Sequence, residues 1–569
     1  MNNVKLAPYK RSSSMKSVVD TMDTRISTNI GGLGRRYYDQ LSQDLDKIIQ
    51  VDVTNGVTET KGSVRGRAIQ LALEMRSRGV SENDVIVIVS RTHADQTVVV
   101  LASLFLGAIV APLNPEFSYK ESLELVKKLK PKMCFCDIRM VSQMERIMPM
   151  LSHAAELIHF GEKSGSCVPF SKLFAHKESE YFQPVFIENP VITVAFILPT
   201  QGTTGNPKLI CLSHQNVFGQ TALLLHIFNY PDKIISFFPL CWIIQTALTC
   251  ASFEANVMRI LPGAFTERSA CKIIHDFEVG YAIFGTDYAM KLISNVAIKA
   301  RILSLPDFIE SNNFGAKFDF NLNCLKCIMI GTVNTTKYDI QQLKTLMPHV
   351  KYLQCYCLTE TGLIAASTIR NYAESLEKPD SVGQILCNGK IKIMDLDSRE
   401  NAGPDRFGEL YFKGDGMMLG YFKETDKTLA AMEKGYFKTG DVAMYDEEGW
   451  LYVQGRLEDV ITRDDRRIYA IELENIILMH PLVKDVAVVG DSKQVVACVV
   501  RKRDTSLSVE KLTKFISERV PSYHMPTKIV FLDGFPRTTI GSVKRKILRE
   551  ELLTIKIEYS SSFTSINVD

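Results

Sequence analysis

Between residues 84 and 137 the chain alternates unbroken apolar runs with segments of helical spacing, and this rhythm constrains the fold more than any other feature. Residues 84–90 carry Val and Ile almost without interruption, the composition of a strand buried on both faces. A helix over 97–107, a strand over 109–113, a helix over 119–129 and a strand over 133–137 follow from the same reasoning. Strands separated by helices of that length build parallel sheets covered by the helices. Upstream, Val64, Ala68, Ile69, Leu71 and Leu73 give residues 63–78 a helical period, and Asn55-Gly56 marks a hairpin turn in the stretch that starts at Val51. A length of 569 residues implies more than one domain. Past residue 457 the pattern becomes helix 470–480, strands 483–490 and 494–501, and helix 507–520, a small α+β unit. The expected class is α/β: a large N-terminal region of several subdomains with parallel sheets and helices (residues 1–456, of which 1–20 read as a loose tail), plus a small α+β domain over 457–569.

Charge and cysteine usage narrow the function classes. The net charge is +3, with 46% hydrophobic and 23% charged residues, which gives no argument for nucleic acid or a membrane surface. Lys544, Arg545, Lys546 and Arg549 gather near the C-terminus, and a solvated helix face is the expected reading. The uncharged run 97–113 is broken by Gly107 and Pro112 and is shorter than the ~20 residues of a spanning helix. No signal peptide is visible, and the last three residues, Asn567-Val568-Asp569, are not a Ser-Lys-Leu-type peroxisomal address. The cytoplasm is the expected location. Thirteen cysteines lie scattered without a disulfide rhythm, as in a reducing compartment. Cys324, Cys327, Cys355 and Cys357 fall in strand-like runs, where buried thiols are ordinary and a zinc site is the lesser reading.

One loop carries the densest chemistry. Thr200-Gln201-Gly202-Thr203-Thr204-Gly205-Asn206-Pro207-Lys208 follows an apolar run. Glycines admit a close backbone approach, the threonine hydroxyls and turn N–H groups donate to phosphate oxygens, and Lys208 adds a mobile positive charge. The Walker spacing is absent, and locally an ordinary hairpin turn fits as well as a phosphate cradle.

The wider pattern resembles the adenylate-forming superfamily, which includes acyl-CoA synthetases, coumarate-CoA ligases and insect luciferases. The resemblance rests on Gly202 through Lys208, Ser213-His214-Gln215-Asn216, residues 106–114, Tyr356-Cys357-Leu358-Thr359-Glu360, Thr439-Gly440-Asp441 and Gly455-Arg456-Leu457-Glu458-Asp459. It spans nearly the whole chain from about residue 50. It implies that Thr200, Gly202, Thr203, Thr204, Gly205 and Lys208 hold phosphates, that Tyr356 lies against adenine, and that Thr359 contacts the α-phosphate. It also implies that Glu360 helps hold Mg²⁺, that Asp441 and Arg456 hold the ribose, and that the C-terminal domain is a mobile cap turning about Glu458. A carboxylate is a hard ligand suited to Mg²⁺, and one carboxylate accepts two ribose hydroxyls naturally. Read alone, a Thr-Glu pair at a strand end is more often a helix N-cap followed by a surface acid.

Several positions depart from the family pattern, among them Gln201 and Leu209 around the glycine-rich loop and Ala470 at a proline position. Trp242 stands where the family has a tunnel-lining histidine, so the indole either narrows the acyl tunnel or fills core volume. Cys357 replaces a glycine and crowds the nucleotide. Asp465 replaces a glycine in a loop that the family brings to the thiol acceptor. Ser542 occupies the position of the catalytic lysine that bridges substrate carboxylate and α-phosphate, and a hydroxyl cannot supply that charge. Lys544, two residues on, is the candidate replacement. The acyl pocket is expected to draw on residues 242–253, 281–288 and 331–335, with Trp242 and Gly331 touching substrate. The resulting expectation is an acid–thiol ligase that takes a fatty or aromatic acid, ATP with Mg²⁺, and coenzyme A, impaired at Ser542. Its rivals are a degenerate nucleotide- and acyl-binding protein and a luciferase-like oxygenase.

Overall fold

The structure is a computed structural model that describes residues 19–20, 31–161, 167–174, 181–200, 207–292, 320–331, 335, 337–387, 389–503, 505–537, 543–554 and 565–567. Among these residues the strands form five sheets. The expected alternation produces the first. Val85–Val89 lies between Ile109–Leu113 and Met133–Asp137, parallel to both, and Val194–Pro199 and Leu209–Ser213 extend it on one side. Val85–Val89 and Ile109–Leu113 are buried along their whole length, which is why their sequences are unbroken apolar runs rather than alternating ones. The connecting helices are Ala94–Phe105 and Tyr119–Leu129. Ser118 and Glu121 close a reciprocal capping box at the start of the latter.

A second, mostly parallel sheet contains Tyr281–Gly285, Cys327–Gly331 and Lys351–Leu358 side by side, and the predicted hairpin Ile48–Asp52/Val57–Thr60 forms its far edge. A third sheet is antiparallel and includes Gly408–Gly414, Tyr436–Tyr445 and Leu451–Arg456. From residue 461 onward the strands pair only among themselves: a two-stranded hairpin, and a sheet built on Val483–Gly490, Val495–Arg501 and Lys528–Leu532. The helices Ala470–Leu478 and Val509–Ser517 belong to this region, which has its own apolar core around Leu473, Ile477, Val488, Val499 and Ile516. No helix among the described residues is long and apolar enough to cross a membrane.

Candidate functional site

The strands converge on a cavity of about 1910 Å³ whose walls come from all three large sheets and from the C-terminal region. Local hydrogen bonds bring its first wall together. Thr200 N–H donates to Lys208 O at 2.8 Å and Lys208 N–H to Thr200 Oγ1 at 2.9 Å, so the two ends of the glycine-rich loop are pinned side by side. Both residues line the cavity. Gly202, Thr203, Thr204 and Gly205, between them, lie outside the described residues. Downstream, Ser213 and Asn216 cap the helix His214–Ile227 reciprocally, and Asn216 Nδ2 donates to Asp415 O at 2.6 Å. This bond ties the lysine strand to the loop that precedes Tyr421. Gly420–Tyr421 then pairs with Ile210 and Cys211, which sets the Tyr421 ring 4.9 Å from Lys208 Nζ.

Tyr421 links this wall to Glu360. Its hydroxyl donates to Glu360 Oε1 at 3.3 Å, and Met418 N–H donates to Glu360 O at 2.8 Å. Thr359 and Glu360 occupy the turn between the strands Lys351–Leu358 and Gly362–Ala366 rather than a helix start. Gly362 makes that turn possible: its φ is +67°, and a Cβ there would lie 2.2 Å from the Gln220 side chain, whose Oε1 accepts from Leu363 N–H at 2.7 Å. Burial holds the Glu360 carboxyl above the usual carboxylate range, and Arg456, Lys208 and the Tyr421 hydroxyl oppose the rise.

The opposite wall joins residues far apart in the chain. Asp441 and Arg456 are cross-strand partners, with Arg456 Nε 3.3 Å from Asp441 Oδ1 and Arg456 Nη1 donating to Thr439 O at 3.1 Å. Tyr356 Oη donates to the other carboxylate oxygen of Asp441 at 2.5 Å. Burial raises the Asp441 carboxyl above its ordinary range, while Arg456 and Tyr356 pull it back. Burial beside Asp441 also pushes the Tyr356 phenol far up, so it remains a donor at all ordinary pH values. Tyr356, Glu360, Asp441 and Arg456 all line the cavity, as do Thr359, Gly331 and Trp242.

Two stacked aromatic rings, Phe238 and Trp242, line the cavity, and further rings lie behind them. Trp242 lies parallel to Phe238 with ring centres 4.5 Å apart and an 11° interplanar angle. Phe238 continues to Tyr288, and Tyr288 stacks on Phe265 at 4.2 Å. The indole packs one face on Phe238, and the residue lines the cavity. Its N–H has no acceptor among the described residues. At Gly331 a Cβ would sit 2.7 Å from Cys355 Sγ, so this position of the wall accepts only glycine without a shift.

The C-terminal wall corrects one expectation. Arg545 and Arg549 are not a solvated helix face. Arg545 donates to both Glu474 oxygens, at 2.5 and 2.9 Å, and to Val488 O at 2.9 Å. Arg549 donates to Asp459 Oδ1 at 2.8 Å and to Glu458 O at 3.2 Å. The helix Arg545–Arg549 thus grips the segment where the chain leaves the third sheet. The reason is charge: Glu474 and Asp459 are largely buried side chains that need cationic partners. Arg537, Val543, Arg545, Lys546 and Arg549 line the cavity, and Lys544 is not one of them. Lys544 precedes the helix as its N-cap, with its N–H bonded to Pro536 O at 2.8 Å. Ser542 lies outside the described residues. Asp464 and Asp465 form the tip of the hairpin Ile461–Arg463/Arg466–Ile468, both with left-handed φ of 51° and 56°. That hairpin contributes nothing to the cavity wall. It is tied elsewhere, through Arg467 to Asp397 and through Arg466 over the Tyr523 ring.

Comparison with known proteins agrees with this architecture. A family model described as AMP-binding enzyme matches residues 38–422, and one described as AMP-binding enzyme C-terminal domain matches residues 472–542. The chain is 25% identical over 536 residues to 4-coumarate–CoA ligase 2 of Petroselinum crispum, covering 90% of this chain and 93% of the relative. It is 26% identical over 537 residues to the medium-chain fatty-acid–CoA ligase of Escherichia coli (strain K12), covering 91% and 90%. The fold matches that of ATP-bound MatB from Rhodopseudomonas palustris with a TM-score of 0.79 at 22% identity, over 92% of this chain and 99% of that one. The chain belongs to the AMP-binding, adenylate-forming enzyme family, in the branch that holds acyl-CoA synthetases, coumarate–CoA ligases and insect luciferases.

Proposed function

We propose that the chain activates a carboxylic acid with ATP to an acyl-adenylate and passes the acyl group to coenzyme A, with turnover limited by Ser542 at the position of the family's lysine. The observation that carries the reading is the facing arrangement in one cavity of Lys208, Tyr421 and Glu360 on one wall and Tyr356, Asp441 and Arg456 on another. In this reading Asp441 and Arg456 receive the ribose, Tyr356 flanks the base, and Thr200, Thr359 and Lys208 receive phosphate oxygens. The glycine-rich loop completes the cradle. The wall formed by Trp242 and Phe238 takes the acyl chain or ring beside Gly331.

A magnesium ion suits this donor set. No cluster of three or more His, Cys, Asp or Glu is present among the described residues. Glu360 is a hard carboxylate at the phosphate wall, and Mg²⁺ is commonly held by one or two carboxylates plus substrate phosphates. When bound, the ion would neutralise triphosphate charge. The chain's own work is positional. Lys208, held over the Tyr421 ring, lines the cavity, and the Tyr421 hydroxyl and two nearby cations oppose the rise that burial imposes on the Glu360 carboxyl. In the first half-reaction a carboxylate oxygen attacks the α-phosphorus, and pyrophosphate leaves with the electron pair of the broken P–O bond. The large cost of bringing these anions together is what fixed cations and orientation offset.

A second reading has its own support. Ser542 carries no charge, and Lys544 does not line the cavity, which favours a protein that binds nucleotide and acid without turning them over. Acid-dependent ATP–pyrophosphate exchange over a panel of fatty and aromatic acids separates the two. Exchange with any acid supports the ligase; tight ATP binding with no exchange across the panel supports the binder.

A further inference from the structure

We propose that Lys546 supplies the positive charge at the α-phosphate that Ser542 does not, an assignment that rests on the ligase reading above. During attack, negative charge concentrates between the incoming carboxylate and the α-phosphoryl oxygens, and stabilising it requires a cation in place beforehand. Two cations of the large-region walls are already engaged. Arg456 faces Asp441 at 3.3 Å, and Lys208 lies over the Tyr421 ring beside Glu360. Lys291 and Lys438 also line these walls, but the position that lacks the family's lysine belongs in sequence to the C-terminal region, so the replacement is sought on that opposite wall.

On that wall three arginines are committed. Arg537 pairs with Asp485, Arg545 with both oxygens of Glu474, and Arg549 with Asp459. Withdrawing any of them would strand a partly buried carboxylate. Three lysines remain: Lys484, Lys502 and Lys546. Lys484 and Lys502 belong to the sheet body, where Lys502 N–H donates to Leu482 O at 2.9 Å. All three are exposed, and Lys546 differs in position. It follows the segment whose base is closed by the Arg537–Val543 bridge, it is exposed, and it has no ion pair among the described residues. The helix starts at Arg545, so Lys546 shares its cavity face with Arg549 and Glu550, three and four residues on. Lys544, before the first turn, falls off that face. A lysine's flexible stem lets the ammonium follow the α-phosphate, and its point charge suits a phosphoryl oxygen.

The reaction involved is the one already written: the carboxylate O–P bond forms, the P–O bond to pyrophosphate breaks, and no proton moves. Lys546 contributes charge alone. The test is ATP–pyrophosphate exchange, with an acid active in the wild type, in Lys546→Gln, Lys546→Arg, Lys544→Gln and the double variant Ser542→Lys/Lys546→Gln, with ATP affinity and thermal unfolding measured on each. Lys546→Gln is expected to lose about 100-fold in kcat with KM for ATP and acid within about threefold, as for removal of one transition-state donor. Lys546→Arg retains a tenth or more, and Ser542→Lys restores exchange to the double variant. Wild-type exchange that persists unchanged in Lys546→Gln overturns the assignment alone. A loss in Lys544→Gln as large as that in Lys546→Gln also overturns it. A wild type silent with every acid overturns the ligase reading, and this assignment with it.

Discussion

Asp441→Asn isolates the nucleotide half of the site. The carboxylate is only 5% exposed, takes the Tyr356 hydroxyl on one oxygen, and faces Arg456 with the other. Asparagine keeps the shape and one carbonyl acceptor but removes the charge. Hydrogen bonds to a charged acceptor contribute about 1.5–3 kcal/mol each, against about 0.5–1.5 kcal/mol for neutral ones. If two ribose hydroxyls bind here, the exchange costs about 2–3 kcal/mol, or roughly 30- to 150-fold in ATP affinity. The effect on folding is smaller. Arg456 has a side chain 39% exposed to solvent and keeps its bond to Thr439 O, so screening limits the loss. Calorimetric titration of ATP into wild type and variant, with unfolding curves for both, checks this. ATP affinity within threefold of wild type in a folded variant would refute the assignment of Asp441 to the nucleotide.

Three further predictions concern other walls of the cavity. Tyr421→Phe removes a hydrogen bond that favours ionised Glu360, so its already raised pKa rises further; the acid limb of magnesium-dependent ATP binding moves to higher pH, and an unmoved limb contradicts the link. Glu474→Gln leaves Arg545 with one neutral acceptor in place of a bidentate pair and should cost about 2–4 kcal/mol of stability, read as a lower denaturation midpoint; an unchanged midpoint would show the pair to be dispensable. Trp242→Ala opens the aromatic wall beside Phe238, and the acid profile of exchange should extend to bulkier acids. A profile identical to wild type would place the indole outside the acyl path.

Much of the fold was legible because burial writes itself into sequence period. Strands covered on both faces, such as Val85–Val89, are unbroken apolar runs, and the helices between them carry capping residues that read directly. The motifs that face the cavity were legible as short contiguous strings. What the strings do not encode is which of them meet: Tyr356, on the strand Lys351–Leu358 of the second sheet, finds Asp441 on the third sheet, whose register places Asp441 opposite Arg456. Residues 414–421 follow the family pattern, but nothing in it says that Tyr421 faces the site, since a single tyrosine on a two-residue strand gives no period. The C-terminal basic residues misled for a similar reason. Arg545 and Glu474 are separated by 71 positions, and local charge spacing cannot reveal that a buried carboxylate waits across the fold. Whether Lys544 or Lys546 faces the cavity is decided by where a five-residue helix starts, a boundary that propensity alone places poorly.

The most direct test of the central claim is a single-turnover reaction with ATP labelled at the α-phosphate, excess carboxylic acid, magnesium and no thiol, quenched and separated by mass. Labelled acyl-adenylate is expected, up to one per protein chain, with unlabelled pyrophosphate released in equal amount and coenzyme A then discharging the label as AMP. Recovery of intact ATP alone, or of ADP, with every acid of the panel would contradict it.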